Sequence, residues 1–129
     1  MAGGHRSTVM LVDSSVWIDH LREGDAYLAR LLESGLVLCH AFVPGRLACD
    51  WVRRRSEILA LLADLPQAVV ASDAEVLGLI ERRGLMGRGI GYVDAHLLAA
   101  TLLTPEAALW TRDRRLAEIA RELGAGAKL

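Results

Sequence analysis

The chain has 129 residues, a length that suits one folded domain with a full hydrophobic core. It is 53% hydrophobic but only 5% aromatic, so aliphatic side chains must build most of that core, and its formal net charge of -1 lacks the overall basicity that favours nucleic acid. No apolar run approaches the roughly 18 residues that a membrane-spanning helix requires. Residues 1–8 also lack the pattern of a signal peptide, so we expect a cytoplasmic protein without membrane contact.

Apolar runs and amphipathic segments alternate along the chain. Val9–Val12 is apolar without alternation, which predicts a strand buried on both faces. Further strands are predicted at 36–39, 68–71 and 108–111, and helices at about 14–22, 26–34, 42–51, 57–65, 73–83, 92–103 and 112–123. Strands separated by helices favour right-handed crossovers and a parallel sheet. The sequence therefore predicts one α/β domain over residues 1–129, a short and mostly parallel sheet between helices.

Helix-capping residues mark several of these boundaries. Ser14 or Ser15 is placed to cap the first helix, and Asp25 to cap the second. Ser72 followed by Glu75 matches a capping box, in which each residue satisfies a free backbone N–H group of the other.

Three acidic residues occupy comparable places in this pattern. Asp13 follows the first strand, Asp113 follows the last, and Asp94 lies in the first turn of a helix that begins after a glycine-rich loop. Because the carboxyl ends of parallel strands meet at one edge of a sheet, where ligands bind in such folds, we expect the three carboxylates to converge. The alternative for Asp13 is a plain turn or capping acid.

A carboxylate cluster of this kind predicts a divalent-cation site. Carboxylates in close contact repel each other, and a hard cation such as Mg²⁺ or Mn²⁺ removes that penalty. A metal of this type activates water for attack on a phosphodiester. Ser14 and Thr111 are candidates to orient the ligands, and Arg112 and Arg114 are candidates to contact phosphate. His96 is expected to be a packed or surface residue rather than a catalytic base, because it points away from Asp94 on the helix.

Three segments carry a resemblance to a known family. They are Leu-Val-Asp-Ser-Ser-Val-Trp-Ile at 11–18, Tyr-Val-Asp-Ala-His-Leu-Leu-Ala at 92–99 and Leu-Trp-Thr-Arg-Asp at 109–113. In order and spacing they resemble motifs of PIN-domain nucleases, and most closely the VapC toxins of bacterial toxin–antitoxin pairs. The resemblance covers nearly the whole chain. It implies a three-layer PIN-like fold, an endoribonuclease dependent on Mg²⁺ or Mn²⁺ with Asp13, Asp94 and Asp113 as catalytic and metal-binding residues, a homodimer, and inhibition by a VapB-type antitoxin.

One position departs from the family pattern. The family has a glutamate in a Gly-Glu-Leu-Ala segment, and here the matching residues are Gly45-Arg46-Leu47-Ala48. Asp50, one helical turn further on, could replace the missing carboxylate. Alternatively, the three remaining acids could hold metal weakly, or Arg46 could be an inactivating change, natural or introduced.

Arg46 also motivates a hypothesis of a different class. The protein would then be a catalytically inactive PIN fold that binds an antitoxin or RNA without cutting. An arginine at this position is expected to pair with Asp13 or Asp94 and to compete with metal. The resemblance implies that an antitoxin arginine reaches the same acids, so Arg46 could imitate that contact from within the chain.

Overall fold

Three parallel strands and seven helices form the part of the chain that the computed structural model describes, residues 8–49 and 54–129. The strands are β1 (Val9–Val12), β2 (Val37–Leu38) and β3 (Ala107–Trp110). The helices are α1 (Ser14–Glu23), α2 (Ala26–Glu33), α3 (Phe42–Cys49), α4 (Arg55–Asp64), α5 (Asp73–Arg83), α6 (Tyr92–Leu103) and α7 (Arg114–Glu122). The predicted open α/β architecture is confirmed.

The central strand of the sheet is β1, with the order β2-β1-β3 and parallel pairing on both sides. Its residues Met10, Leu11 and Val12 are all buried, and successive strand residues point to opposite faces. Both faces of the sheet are therefore covered, as the unbroken apolar run predicted. Helices α6 and α7 pack against β3, α1 packs against α3, and α5 packs against α6.

The strand predicted at 68–71 is wrong. Only one isolated bridge forms there, between Cys39 and Gln67, and Ala68 donates one backbone hydrogen bond to the Cys39 carbonyl. The next amide, that of Val69, donates instead to the Thr104 hydroxyl at 3.0 Å. Val69 and Val70 are about half exposed, at 46% and 51%, so the segment leaves the sheet, although Ala68 and Ala71 still pack in the core.

The predicted capping residues set the ends of the helices, with one correction. Asp25 accepts from the Leu28 amide at 3.0 Å, and the capping box of α5 forms as expected. Helix α1, however, is preceded by Asp13 as its N-cap, and Ser14 is already the first helical residue. No helix in the described ranges is long and apolar enough to cross a membrane.

Candidate functional site

The carboxylate of Asp13 is the most enclosed acidic group at the carboxyl edge of the sheet. Its amide donates to the Trp110 carbonyl at 2.9 Å, which extends the β1–β3 pairing by one residue and brings Thr111 alongside. Asp13 is 3% exposed, and its Oδ2 accepts from the Ser15 hydroxyl at 2.7 Å and from the Thr111 hydroxyl at 2.8 Å. Within α1, all of whose residues are described, the Asp13 side chain accepts no capping bond, so it is free to face the site.

Backbone amides fix the direction of both hydroxyl groups. The Ser15 Oγ accepts from the Arg112 amide at 3.0 Å, and the Thr111 Oγ1 accepts from the Asp113 amide at 3.1 Å. Each hydroxyl therefore directs its one proton at Asp13, whose Oδ2 must accept both. The role predicted for Thr111 matches this geometry, whereas the hydroxyl expected from Ser14 is supplied by Ser15.

Asp94 comes to the same place from α6. Its Oδ2 accepts from the Gly91 amide at 3.0 Å, which closes the first turn of the helix and leaves Oδ1 directed at the site. The side chain is 15% exposed. The structure thus brings Asp13 and Asp94 together, as the sequence predicted.

Arg46 lies between these two carboxylates. Its Nη1 is 3.5 Å from Asp13 Oδ1 and 3.3 Å from Asp94 Oδ1. The side chain is 42% exposed, so the guanidinium closes the site from the solvent side. The expected pairing of Arg46 with the acids is present, and it involves both of them.

Asp113 has a different environment. Its Oδ1 accepts from the amides of Arg115 at 2.9 Å and Leu116 at 3.1 Å, which makes it the N-cap of α7. Its backbone touches the site through Thr111, but this carboxylate oxygen is committed to the helix. Asp50, the other candidate ligand, lies outside the described residues.

The donor set does not fit a divalent metal as it stands. Within residues 8–49 and 54–129, no three His, Cys, Asp or Glu side chains form a group that could hold an ion. Mg²⁺ and Mn²⁺ prefer several oxygen ligands, and here two carboxylate oxygens already face a guanidinium.

The arginines next to the last strand differ in their contacts. The Nη2 of Arg112 is 2.8 Å from Asp25, and its Nε is 3.0 Å from Asp19. The guanidinium also lies 5.9 Å from the centre of the Trp110 ring. Arg112 thus ties β3 to α1 and α2, whereas Arg114 is exposed on the first turn of α7. Their predicted contacts with phosphate stay predictions.

Two buried histidines, His40 and His96, lie next to each other, a pair that the sequence analysis did not identify. His96 is 2% exposed, as expected for a packed residue, and its ring lies 4.8 Å from each of the Phe42 and Tyr92 rings. His40 is fully buried and lies 6.4 Å from the His96 ring. Burial, reinforced by the neighbouring His96, lowers the pKa of His40 from 6.5 to about 4. Only the folded chain brings these residues together.

No model of a protein family matches the chain. Two curated relatives do, and both are called Ribonuclease VapC32, from the CDC 1551 / Oshkosh and ATCC 25618 / H37Rv strains of Mycobacterium tuberculosis. Each is 47% identical over 116 residues, which cover 90% of this chain and 94% of the relative. The chain belongs to the VapC family of PIN-domain ribonucleases. In this VapC chain, the acidic site at the carboxyl edge of the sheet comprises Asp13, Asp94, Ser15, Thr111 and Arg46.

Proposed function

We propose that this protein is a VapC-type endoribonuclease toxin in which Arg46 reduces or abolishes cleavage. The supporting observation is that Asp13 and Asp94 converge at the carboxyl edge of the sheet. The chain that carries them is 47% identical to a protein named a ribonuclease. The substrate would be an RNA phosphodiester. Ser15 and Thr111 would hold the Asp13 carboxylate in one orientation, and Arg114, which is exposed at the start of α7, would contact an RNA phosphate.

The partner and the assembly follow from the same family. We propose a VapB-like antitoxin as the partner, a homodimer as the assembly and the cytoplasm as the location. A Mg²⁺ or Mn²⁺ requirement is part of the family proposal, but the site as arranged here does not hold such an ion. Any metal-dependent cleavage by this chain would first require Arg46 to leave both carboxylates.

A second function is favoured by the ion pairs of Arg46. With a guanidinium bound to Asp13 and Asp94, the protein would act by binding its antitoxin or RNA without cutting. The two functions share one fold and one set of partners, and they differ in whether the site is open for the reaction.

RNA cleavage by the native chain and by its Arg46→Glu variant tests these functions. Both are incubated with a pool of structured RNAs in Mg²⁺ or Mn²⁺, and Asp13→Asn in the Arg46→Glu background serves as the control for contaminating nucleases. Cleavage by Arg46→Glu that the control lacks supports the ribonuclease, and weaker or absent cleavage by the native chain supports restraint by Arg46.

The other outcomes are equally informative. Equal cleavage by the native chain and Arg46→Glu contradicts the restraint. Absence of cleavage by both, with RNA binding retained in a gel-shift assay, supports the binding function. Absence of both cleavage and RNA binding contradicts RNA as the substrate.

A further inference from the structure

The cationic group of Arg46 occupies the position where a metal-dependent site needs its ion. One nitrogen, Nη1, faces Oδ1 of Asp13 and Oδ1 of Asp94 at nearly equal distances, 3.5 and 3.3 Å. The second oxygen of each carboxylate is occupied elsewhere, that of Asp13 by two hydroxyls and that of Asp94 by the Gly91 amide. The two oxygens left for a cation are the two that Arg46 contacts.

The burial of Asp13 makes a cation necessary. A carboxylate that is 3% exposed has lost most of its hydration, and an ionised group in that position must be paired. The two hydroxyl groups donate to Oδ2 and leave Oδ1 as the oxygen that faces the cation. Arg46 supplies the compensating charge, and a guanidinium cannot lose its proton in a protein.

A divalent ion would have to displace this group and would gain few ligands. Mg²⁺ and Mn²⁺ require about six oxygen ligands in ordered geometry. At this site Asp13 and Asp94 would contribute one free oxygen each, and Oδ1 of Asp113 is occupied by the cap of α7. The displaced guanidinium would still be tethered to α3, close enough to repel the ion.

We infer that Arg46 is the resident cation of the acidic site, so that this chain assembles the site without a divalent metal and excludes Mg²⁺ and Mn²⁺ from Asp13 and Asp94. This inference goes beyond the proposed function, since it concerns the occupancy of the site and uses no RNA. Its tests can therefore fail while the ribonuclease proposal stands, and the reverse also holds.

Binding of Mn²⁺ to metal-free protein provides the first test. The native chain, Arg46→Glu and Arg83→Glu are compared by Mn²⁺ electron paramagnetic resonance titration and by thermal unfolding with and without millimolar Mn²⁺. Arg83 is exposed at the end of α5, so Arg83→Glu makes the same change in net charge away from the site. We expect Arg46→Glu to gain a bound ion and a melting temperature about 4 °C or more higher in Mn²⁺, with no shift in the other two proteins. A comparable shift in the native chain overturns the inference.

A double-mutant cycle without metal provides the second test. In excess chelator, Arg46→Ala is expected to lower the melting temperature because it leaves the Asp13 carboxylate buried without a cation. The same change in the Asp13→Asn background should cost much less, since a neutral amide needs no counterion. Arg46→Lys, which keeps the charge, should recover part of the loss and serves in place of the alanine variant if that one does not fold. Equal losses in both backgrounds would assign the effect to packing of the Arg46 stem and overturn the inference.

Discussion

Asp13 and Asp113 follow neighbouring strands of the same sheet, yet their carboxylates have different roles. Both are N-cap residues of the helix that follows. Asp113 uses its side chain for the cap, accepting from two amides of α7, and it stays exposed. Asp13 makes no such bond within α1, a helix that is described throughout, and turns into the site.

The difference shows that position at a strand end is only the first condition for a site residue. Thr111 and Ser15 provide hydroxyl donors on the site side of Asp13, which compete successfully with the amides of α1. The same Thr111 hydroxyl accepts a hydrogen bond from the Asp113 amide and donates its own proton to the Asp13 carboxylate. One threonine therefore supports the two neighbouring acids in different ways.

The largest expected difference between Asp13 and Asp113 is in the effect of their substitution on RNA cleavage. In the Arg46→Glu background, we expect Asp13→Asn to reduce cleavage by at least about a thousandfold, as is common when one member of a catalytic unit is removed. Asp113→Asn keeps a capping oxygen and should reduce cleavage by less than about tenfold. Initial rates on one RNA provide the measurement. Equal losses would place the Asp113 carboxylate in the site and end the distinction.

Acid should lower stability first through His40, which is buried just before α3. Its pKa in the folded chain is about 4, below the ordinary 6.5, so the unfolded chain takes up the proton first. This contribution to stability is complete above pH 6.5 and is lost as the pH falls towards 4, about 3 kcal/mol in all. Urea unfolding at several pH values measures it.

The matched variant for this effect is His40→Asn. Asparagine can still accept from the Phe42 amide, which donates to His40 Nδ1 at 3.0 Å, but it does not titrate. The variant should lose less stability than the native chain between pH 6.5 and 4. Identical pH profiles for the two proteins would show that His40 does not cause the loss.

Loss of the α7 cap should have a moderate effect that is confined to stability. Asp113→Ala removes the acceptor for two amides and should cost about 1 kcal/mol in the free energy of unfolding. Asp113→Ser, which keeps a capping oxygen, should recover most of it. Thermal unfolding provides the measurement, and an unchanged melting temperature for Asp113→Ala would contradict the capping role.

A small effect is expected at Arg112, the residue before Asp113. Arg112→Ala breaks exposed ion pairs with Asp19 and Asp25, each worth about 1 kcal/mol or less. We expect a small decrease in melting temperature and little change in the KM for RNA cleavage in the Arg46→Glu background. Arg114→Ala should do the reverse, with a higher KM and an unchanged melting temperature. A higher KM for Arg112→Ala would assign Arg112 to substrate binding.

Asp25, one of the partners of Arg112, should make stability depend on pH in a different range from His40. The Leu28 amide, assisted by Arg112, holds the pKa of Asp25 below its usual 3.8. The stability that Asp25 contributes is thus present above about pH 4 and lost below it. Asp25→Asn should weaken the pH dependence of the free energy of unfolding only in that lower pH range, which is separate from the range in which His40 acts.

Much of the fold could be predicted because its signals are local. The unbroken apolar run Val9–Val12 specified a strand covered on both faces, and the Ser72–Glu75 pair specified a helix start. The apolar run at 68–71 gave the same local signal and was misleading. Such a run joins a sheet only if a neighbouring strand offers a free edge and other elements bury its side chains. Here the Val69 amide donates to the Thr104 hydroxyl and not to a strand.

For the site, the sequence determined which chemical groups lie near the sheet edge. Parallel strand order brings Asp13 and Thr111 together, and the periodicity of α3 and α6 places Arg46 and Asp94 at helix positions near that edge. The charge reversal at Arg46 was also visible in the sequence. Only the tertiary structure decided the orientations: Ser15 rather than Ser14 holds Asp13, Asp113 caps its helix, and one guanidinium nitrogen contacts both remaining acids. The physical reason is that each of these outcomes depends on competition between donors from distant segments, and a local pattern does not contain the distances that settle such a competition.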